Sequence, residues 1–222
     1  MAELEWALLA GLNDAERAEV LAVARRRTFR RGEVVVHRGD PADTVHLIVR
    51  GRFAVRIGTP LGDTATLAIL GRGETFGELA LVGGQRRSAT VAALEAGETR
   101  SLHQHDFDAL RRRHPQASTA VIDVLAAQVQ RLSRQLVEAL YLPADRRVLA
   151  RVQELAALYR NGDREVEIPL TQEDIAGLSG TARATVNRVL RACEERGLVR
   201  LRRGRTVVLD VDAFAERSRG LL

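Results

Sequence analysis

Six apolar residues, Ile122, Leu125, Val129, Leu132, Leu136 and Ala139, follow one another at spacings of 3, 4, 3, 4 and 3. An apolar position every 3.5 residues keeps one stripe of a helix turned toward a straight partner helix. Arg131, Arg134 and Glu138 flank the stripe with charge. An uninterrupted helix is therefore expected after His114-Pro115, paired with a second copy of itself; packing against its own domain is the alternative. Pro143 cannot continue it, because its ring removes a donor and clashes with the preceding turn. Residues 142–144 are the expected hinge.

The periodicity differs on the two sides of this helix. Residues 4–27 carry helical signals, with Leu4, Leu8 and Leu9 on one face and Asn13 as the cap of a helix over 15–27. From Thr28 the pattern becomes short and alternating, predicting strands near 34–36, 45–49, 53–57, 65–70, 88–94 and 99–102. Turn signals separate them: Arg31-Gly32, Gly39-Asp40-Pro41, Arg50-Gly51, Gly58 with Pro60, Gly71-Arg72-Gly73, Gly83-Gly84 and Ala96-Gly97. Evenly spaced short strands predict an antiparallel, jelly-roll-like β-roll. Beyond the hinge, 145–159 is amphipathic and 166–169 is extended. Thr171 then caps a short helix to 178, Ser179-Gly180 turns, and a second helix spans 182–196 and stops at Gly197. Helix, glycine turn and helix is the helix-turn-helix pattern. Two strands, 198–201 and 206–209, read as a wing. The fold class expected is α+β, with a sensor domain over 1–116, a dimerisation helix over 117–142 and a winged helix-turn-helix over 143–222.

Composition narrows the function. A chain of 222 residues with 45% hydrophobic and 28% charged residues suits two soluble, cored domains. The apolar run at 80–82 and the segment 121–125, which Asp123 interrupts, fall far short of the roughly 20 residues that span a bilayer. Glu3 and Glu5 stand where a secretory leader needs basic residues, so a cytoplasmic protein without a membrane partner is expected. The single cysteine, Cys193, excludes an internal disulfide, a four-cysteine zinc site and an iron-sulfur cluster, and reads as a buried helix residue. His103 and His105 could share a strand face, and read as surface histidines rather than haem ligands. No nucleophile with its base, phosphate loop or metal-ligand cluster is present, so an enzyme is not expected.

The formal charge is +5, and every basic residue is arginine. Eight arginines against two acids fall between Thr181 and Thr206, which suits a phosphate backbone. On the second helix, residues 183, 184, 187 and 188 share one face, where its first turns would meet base edges in a major groove. Arg183 and Arg188 are candidates for guanine O6 and N7, and Asn187 for adenine. Thr171, Thr181, Thr185, Arg203 and Arg205 are candidates for phosphates.

The second informative segment is FGELALVGGQRRSATV, residues 76–91. Phe76-Gly77 lets the backbone approach a ligand, and residues 78–82 could form one helical turn with its amides toward an anion. Glu78 offers an acceptor for sugar hydroxyls, Arg87 a planar fork for phosphate and Ser88 a hydroxyl beside it. An ion pair between Glu78 and Arg87 is the purely structural alternative.

This segment resembles the phosphate-binding cassette of the cyclic AMP receptor protein family, whose wider superfamily includes the fumarate and nitrate regulators. RRGEVVVHRGDPADTVHLIVRGRFAV resembles the family's opening strands, and TQEDIAGLSGTARATVNRVLRACEERGLV its helix-turn-helix. The resemblance implies a β-roll sensor, a dimerising helix and a DNA-binding domain whose arrangement responds to ligand. It places Glu78 on the ribose, Arg87 and Ser88 on the cyclic phosphate, and backbone groups of Gly77 and Leu79 beside them. Ser133 falls where the partner subunit supplies a polar contact to adenine. Its neighbour Leu132 stands where a cyclic AMP receptor carries threonine, and the loop between Glu78 and Arg87 is one residue shorter, which Gly83-Gly84 can absorb. Arg183 and Arg188 match the two base-reading arginines. Ala184 replaces the glutamate between them, removing an acceptor for cytosine N4 worth about 1–3 kcal/mol of discrimination.

The expectation is a homodimeric transcription regulator of near-palindromic double-stranded DNA, controlled by a cyclic nucleotide with cyclic AMP foremost, and working with RNA polymerase. Two other readings are a ligand-independent regulator of the same fold and a nucleotide-binding signalling protein that does not touch DNA.

Overall fold

The computed structural model describes residues 5–59, 62, 64–83 and 85–217. Glu3, Leu4, Pro60 and Gly84, each used in the sequence reading, and residues 218–222 of the expected C-terminal domain lie outside the described residues. The chain divides into two compact units, and the division falls inside the long helix, between Leu132 and Ser133.

In the first unit a 3-10 turn, Ala7–Leu9, precedes helix α1, Asp14–Val23. Asn13 caps α1 through a reciprocal capping box with Glu16. Among the described residues eight strands follow: β1 Arg25–Phe29, β2 Val34–Val36, β3 Thr44–Arg50, β4 Phe53–Gly58, β5 Thr64–Leu70, β6 Thr75–Phe76, β7 Thr90–Ala93 and β8 Gly97–His103. They form two sheets, ordered β1-β8-β3-β6 and β2-β7-β4-β5. Between the sheets lie Phe29, Ile48, Phe53, Phe76, Leu70 and Val91, with Phe29 meeting Phe53 edge-on at 5.8 Å. Strand β3 reads as one apolar run because both its faces are covered. Ile48 points between the sheets, while Val45 and Leu47 point to a second core with Trp6, Leu9, Val20, Phe107 and Val121. The Trp6 indole N–H donates to the Ile48 carbonyl at 3.0 Å and ties the N-terminal turn to that strand.

Two sequence expectations change here. The first helix was expected to reach Arg27, but it ends at Val23, and Arg25–Phe29 pairs with β8 from Arg25 opposite Ser101 to Phe29 opposite Gly97. Ladder hydrogen bonds to a neighbouring strand outweigh the helical preference of three arginines. His103 and His105 do not share a strand face. The His103 ring accepts from the His105 amide at 3.1 Å and caps helix α2, Gln104–Arg113, so the chain turns between them.

Helix α3, Gln116–Tyr141, starts in the second core through Ala117, Ala120 and Val121. Past that point Ile122, Val129, Leu132 and Leu136 are 64%, 62%, 43% and 60% exposed, while Leu125 is half-buried against the core. Among the described residues, most of the heptad stripe is therefore left exposed.

The second unit takes in Thr64–Thr66 at the start of β5 and the chain from Ser133 in α3 onward, with α4 Ala144–Tyr159, β9 Val166–Ile168, α5 Gln172–Ser179, α6 Arg183–Glu195, the hairpin β10 Val199–Arg202 and β11 Arg205–Val208, and α7 Val211–Arg217. The hairpin pairs with β9 in a three-stranded sheet ordered β10-β11-β9. Thr171 and Asp174 cap α5 reciprocally, and Gly180, with φ +58°, closes it in the left-handed region. Helix α6 packs through Val186, Val189, Leu190 and Cys193, the 3-1-3 spacing of one buried helical face. Arg147 staples the turn, donating to the carbonyls of Leu142, Ser179 and Gly180.

Candidate functional site

Gly77 sits at φ +84°, between β6 and a 3-10 turn over Glu78–Val82. Two constraints select glycine at this position. The left-handed conformation is costly for any residue with a β-carbon, and a β-carbon at 77 would stand 2.5 Å from Nη1 of Arg87. The turn therefore closes directly over the arginine. Arg87 itself is 7% exposed. Its Nη1 donates to the Thr44 carbonyl at 2.7 Å, its Nη2 to the Thr44 hydroxyl at 2.6 Å, and Asp43 lies 3.8 Å away. Its Nε is buried without a hydrogen-bond partner, a cost of about 1–3 kcal/mol unless something supplies an acceptor.

These groups border a cavity of about 260 Å³ lined by Gly77, Glu78, Leu79, Arg87, Ser88 and Leu132 among others. Its volume approaches the lower end of small-molecule sites. Glu78 is 8% exposed. Burial pushes its carboxyl above the usual carboxylate range, opposed by its own backbone amide, the Arg131 charge, a hydrogen bond from Gln128 and the Arg87 charge. Burial likewise lowers the Arg87 guanidinium, against the attraction of Asp43, Asp40 and Glu78. Among the described residues Glu78 and Arg87 form no ion pair with each other; each has its own partner and both line the cavity. A recessed acceptor and a recessed cation on one cavity wall can bind a ligand that carries hydroxyls at one end and an anion at the other. Ser88 is exposed at the cavity edge. Ser133 is exposed on α3 and does not line the cavity.

Three further lining residues, Glu74, Gln128 and Arg131, were not singled out as ligand groups from the sequence. The signal was there: Val124, Gln128 and Arg131 recur at 4 and 3 along α3, a second stripe beside the heptad seam. Nε of Arg131 is also buried without a partner.

In the second unit Arg183, Ala184, Asn187 and Arg188 are all exposed on the face of α6 opposite its buried stripe. They stand in its first two turns, as the spacing predicted. Arg188 is held end-on by Asp145, with Nη1 to Oδ2 at 2.8 Å and Nη2 to Oδ1 at 2.6 Å. Asn187 donates to Gln172 at 3.1 Å. Thr181 and Thr185 are half-buried at the start of α6. The Thr171 hydroxyl is committed to Asp174, donating to its carboxylate at 2.6 Å and accepting from its amide at 3.1 Å. Arg203 and Arg205 are exposed in the hairpin, and Arg205 pairs with Glu167 at 2.9 Å.

Residues 26–114 match the sequence profile of the cyclic nucleotide-binding domain, and residues 130–217 that of the Crp-like helix-turn-helix domain. A cyclic AMP receptor protein of Thermus thermophilus is 32% identical over 217 residues, which are 96% of this chain and 97% of that protein. The chain belongs to the cyclic AMP receptor protein family. A CRP-like cAMP-activated global transcriptional regulator of Mycobacterium tuberculosis is 30% identical over 197 residues, 86% of this chain and 87% of its own. In fold, the chain resembles the c-di-GMP responsive global regulator CLP of Xanthomonas campestris, with a TM-score of 0.76 at 19% identity, covering 88% of this chain and 99% of that one.

Members of this family are transcription regulators rather than enzymes, and this chain carries the family's cyclic nucleotide-binding domain and its DNA-binding helix-turn-helix domain. Cys193 is fully buried and its thiol is pushed up to about 11 by burial, so the lone sulfur has little thiolate character at neutral pH. Among the described residues no helix is long and apolar enough to cross a membrane.

Proposed function

We propose that the chain acts as a homodimer whose DNA binding is switched by a cyclic nucleotide, with cyclic AMP as the effector. One observation carries the reading: Glu78, Arg87 and Ser88 line a single cavity with Leu132 of the long helix. In this reading Glu78 accepts from ribose hydroxyls, Arg87 and Ser88 hold the cyclic phosphate, and backbone groups of Gly77 and Leu79 contribute beside them. Ser133, exposed next to Leu132, reaches the base of the nucleotide held by the partner subunit. The cAMP-linked names of the Thermus and Mycobacterium relatives support cyclic AMP.

Leu132 favours a second reading of the effector. An aliphatic side chain donates no hydrogen bond to a base, and the Xanthomonas protein of similar fold is described as responsive to c-di-GMP. A different nucleotide in the same cavity is therefore the alternative.

The exposed stripe on α3 supports dimerisation, since a two-stranded coil would cover Ile122, Val129, Leu132 and Leu136. In the dimer each recognition helix enters one major groove of a near-palindromic site, its partner entering about 34 Å away. Arg183, Asn187 and Arg188 read bases with Ala184 packed among them, and Thr181, Thr185, Arg203 and Arg205 hold phosphates while Thr171 fixes the start of α5. Residues 1–116 sense, 117–142 join the protomers and 143–222 bind DNA, with RNA polymerase as the downstream partner. The nucleotide shifts the dimer toward its DNA-competent arrangement only by binding that arrangement more tightly.

The test is calorimetric titration of the wild-type protein and Arg87→Ala with cyclic AMP, cyclic GMP and cyclic di-GMP. Saturable micromolar binding of cyclic AMP, lost in the variant, is the expected result. Binding of another nucleotide alone replaces the effector, and no binding at all leaves a ligand-independent regulator.

A further inference from the structure

We propose that Asp145 sets the stringency of operator recognition by competing with DNA for the guanidinium of Arg188. The inference rests on the reading that Arg188 meets a base edge. Asp145 lies in the first turn of α4, two residues beyond Pro143, and its side chain is 17% exposed. Arg188 extends from the exposed face of α6 with a side chain 65% exposed, yet its tip is turned back to the carboxylate. Both terminal nitrogens are engaged, at 2.8 and 2.6 Å. The Asp145 carboxyl is held below its usual range, first by that hydrogen bonding.

The geometry of the pair decides its consequence. A guanidinium reaches the bottom of a groove with its tip, donating from its two terminal nitrogens to O6 and N7 of guanine. That is the edge Asp145 occupies. The edge left free, Nε with the flank of Nη2, runs beside the stem and not at its end. Arg188 must therefore leave Asp145 to make an end-on guanine contact, and every such contact is discounted by the pair it breaks. Arg183, one turn earlier on the same face, has no such partner: among the described residues it forms no ion pair, whereas Arg188 is paired with Asp145. The two arginines are thus unequal. Arg183 is free to meet any backbone or base, whereas Arg188 is released only by a site that offers a good bidentate acceptor. A wrong base leaves it with Asp145, whose charge repels nearby phosphates. Asp145 is a positioning residue in this scheme, acting on sequence choice through Arg188.

The test is a double-mutant cycle in full-length protein. Operator DNA is first selected from a random pool by the wild-type protein. Affinities of wild type, Asp145→Asn, Arg188→Ala and the double variant are then measured by fluorescence anisotropy at one fixed salt concentration. Each is titrated with the operator and with the same duplex carrying one scrambled half-site. Asp145→Asn should tighten operator binding about two- to fivefold, the range for an exposed ion pair. The gain should vanish in the Arg188→Ala background, and Asp145→Glu should restore wild-type stringency. A gain of equal size without Arg188 would mean that the carboxylate acts on phosphates alone, and overturns the proposal. Weaker operator binding by Asp145→Asn would mean that Asp145 buttresses Arg188 for DNA, and overturns it too. If Arg188→Ala keeps full operator preference, the base-reading role of Arg188 itself fails. Should Asp145→Asn fold poorly, Asp145→Ser repeats the cycle with an oxygen kept at the start of the helix.

Discussion

A β-carbon on Gly77 would stand 2.5 Å from Nη1 of Arg87 and 2.8 Å from the Thr44 carbonyl that this nitrogen contacts. Shape and charge at the cavity wall are therefore set together: the turn that presents Glu78 can close over Arg87 only because position 77 carries no side chain. Gly77→Ala is expected to cost about 1–3 kcal/mol of stability, from strain at positive φ and displacement of the guanidinium. Urea unfolding measures the first effect, and nucleotide titration should show weakened binding in the protein that remains folded.

Glu78 makes the cavity costly for the empty protein. Its carboxyl is raised by burial, so the native state holds that proton to higher pH than the unfolded chain does. Stability is then unpenalised at low pH and falls as pH rises from the ordinary carboxylate range toward the raised native value. Glu78→Gln should stabilise the ligand-free protein by about 0.5–2 kcal/mol at neutral pH, and the gain should shrink below pH about 4. The same variant should bind cyclic nucleotide more weakly. Thermal unfolding at several pH values, paired with titration, checks both; a variant that loses stability at neutral pH would refute the assignment of burial as the dominant effect.

Leu136 tests the dimer without touching the cavity. It is 60% exposed and lies outside the cavity lining, whereas Leu132 belongs to both. Leu136→Asp places a charge in each strand of the proposed coil and should yield monomers in sedimentation at micromolar concentration. Retained dimers would move the interface elsewhere.

Base reading and phosphate holding separate by salt dependence. Arg188→Ala should abolish preference for the operator over scrambled DNA with dimerisation intact. Arg203→Ala should weaken both DNAs alike and reduce the salt slope by about 1.

The sequence was most legible where one physical demand acted on a segment. Short β-branched or alternating segments between turn signals located β2 to β5, and the capping residues Asn13 and Thr171 stood where the structure uses them. It was less legible where a neighbour decided. Arg25–Phe29 becomes a strand because β8 offers it a ladder, and Gln104–Arg113 is a helix capped by the His103 ring, an uncommon capping residue. Within the site, residue types announced Glu78 and Arg87. Gln128 and Arg131 were hidden because α3 serves two surfaces, and its charges were read only as flanks of the heptad stripe. The Asp145–Arg188 pair spans 43 positions and left no local signal.

The most direct test of ligand control is operator affinity measured by anisotropy with and without saturating cyclic AMP, for wild type and Arg87→Ala. The account predicts that cyclic AMP tightens wild-type binding at least about tenfold, a coupling of about 1.4 kcal/mol, and leaves Arg87→Ala unchanged. Equal affinity of the wild type in both conditions would contradict it.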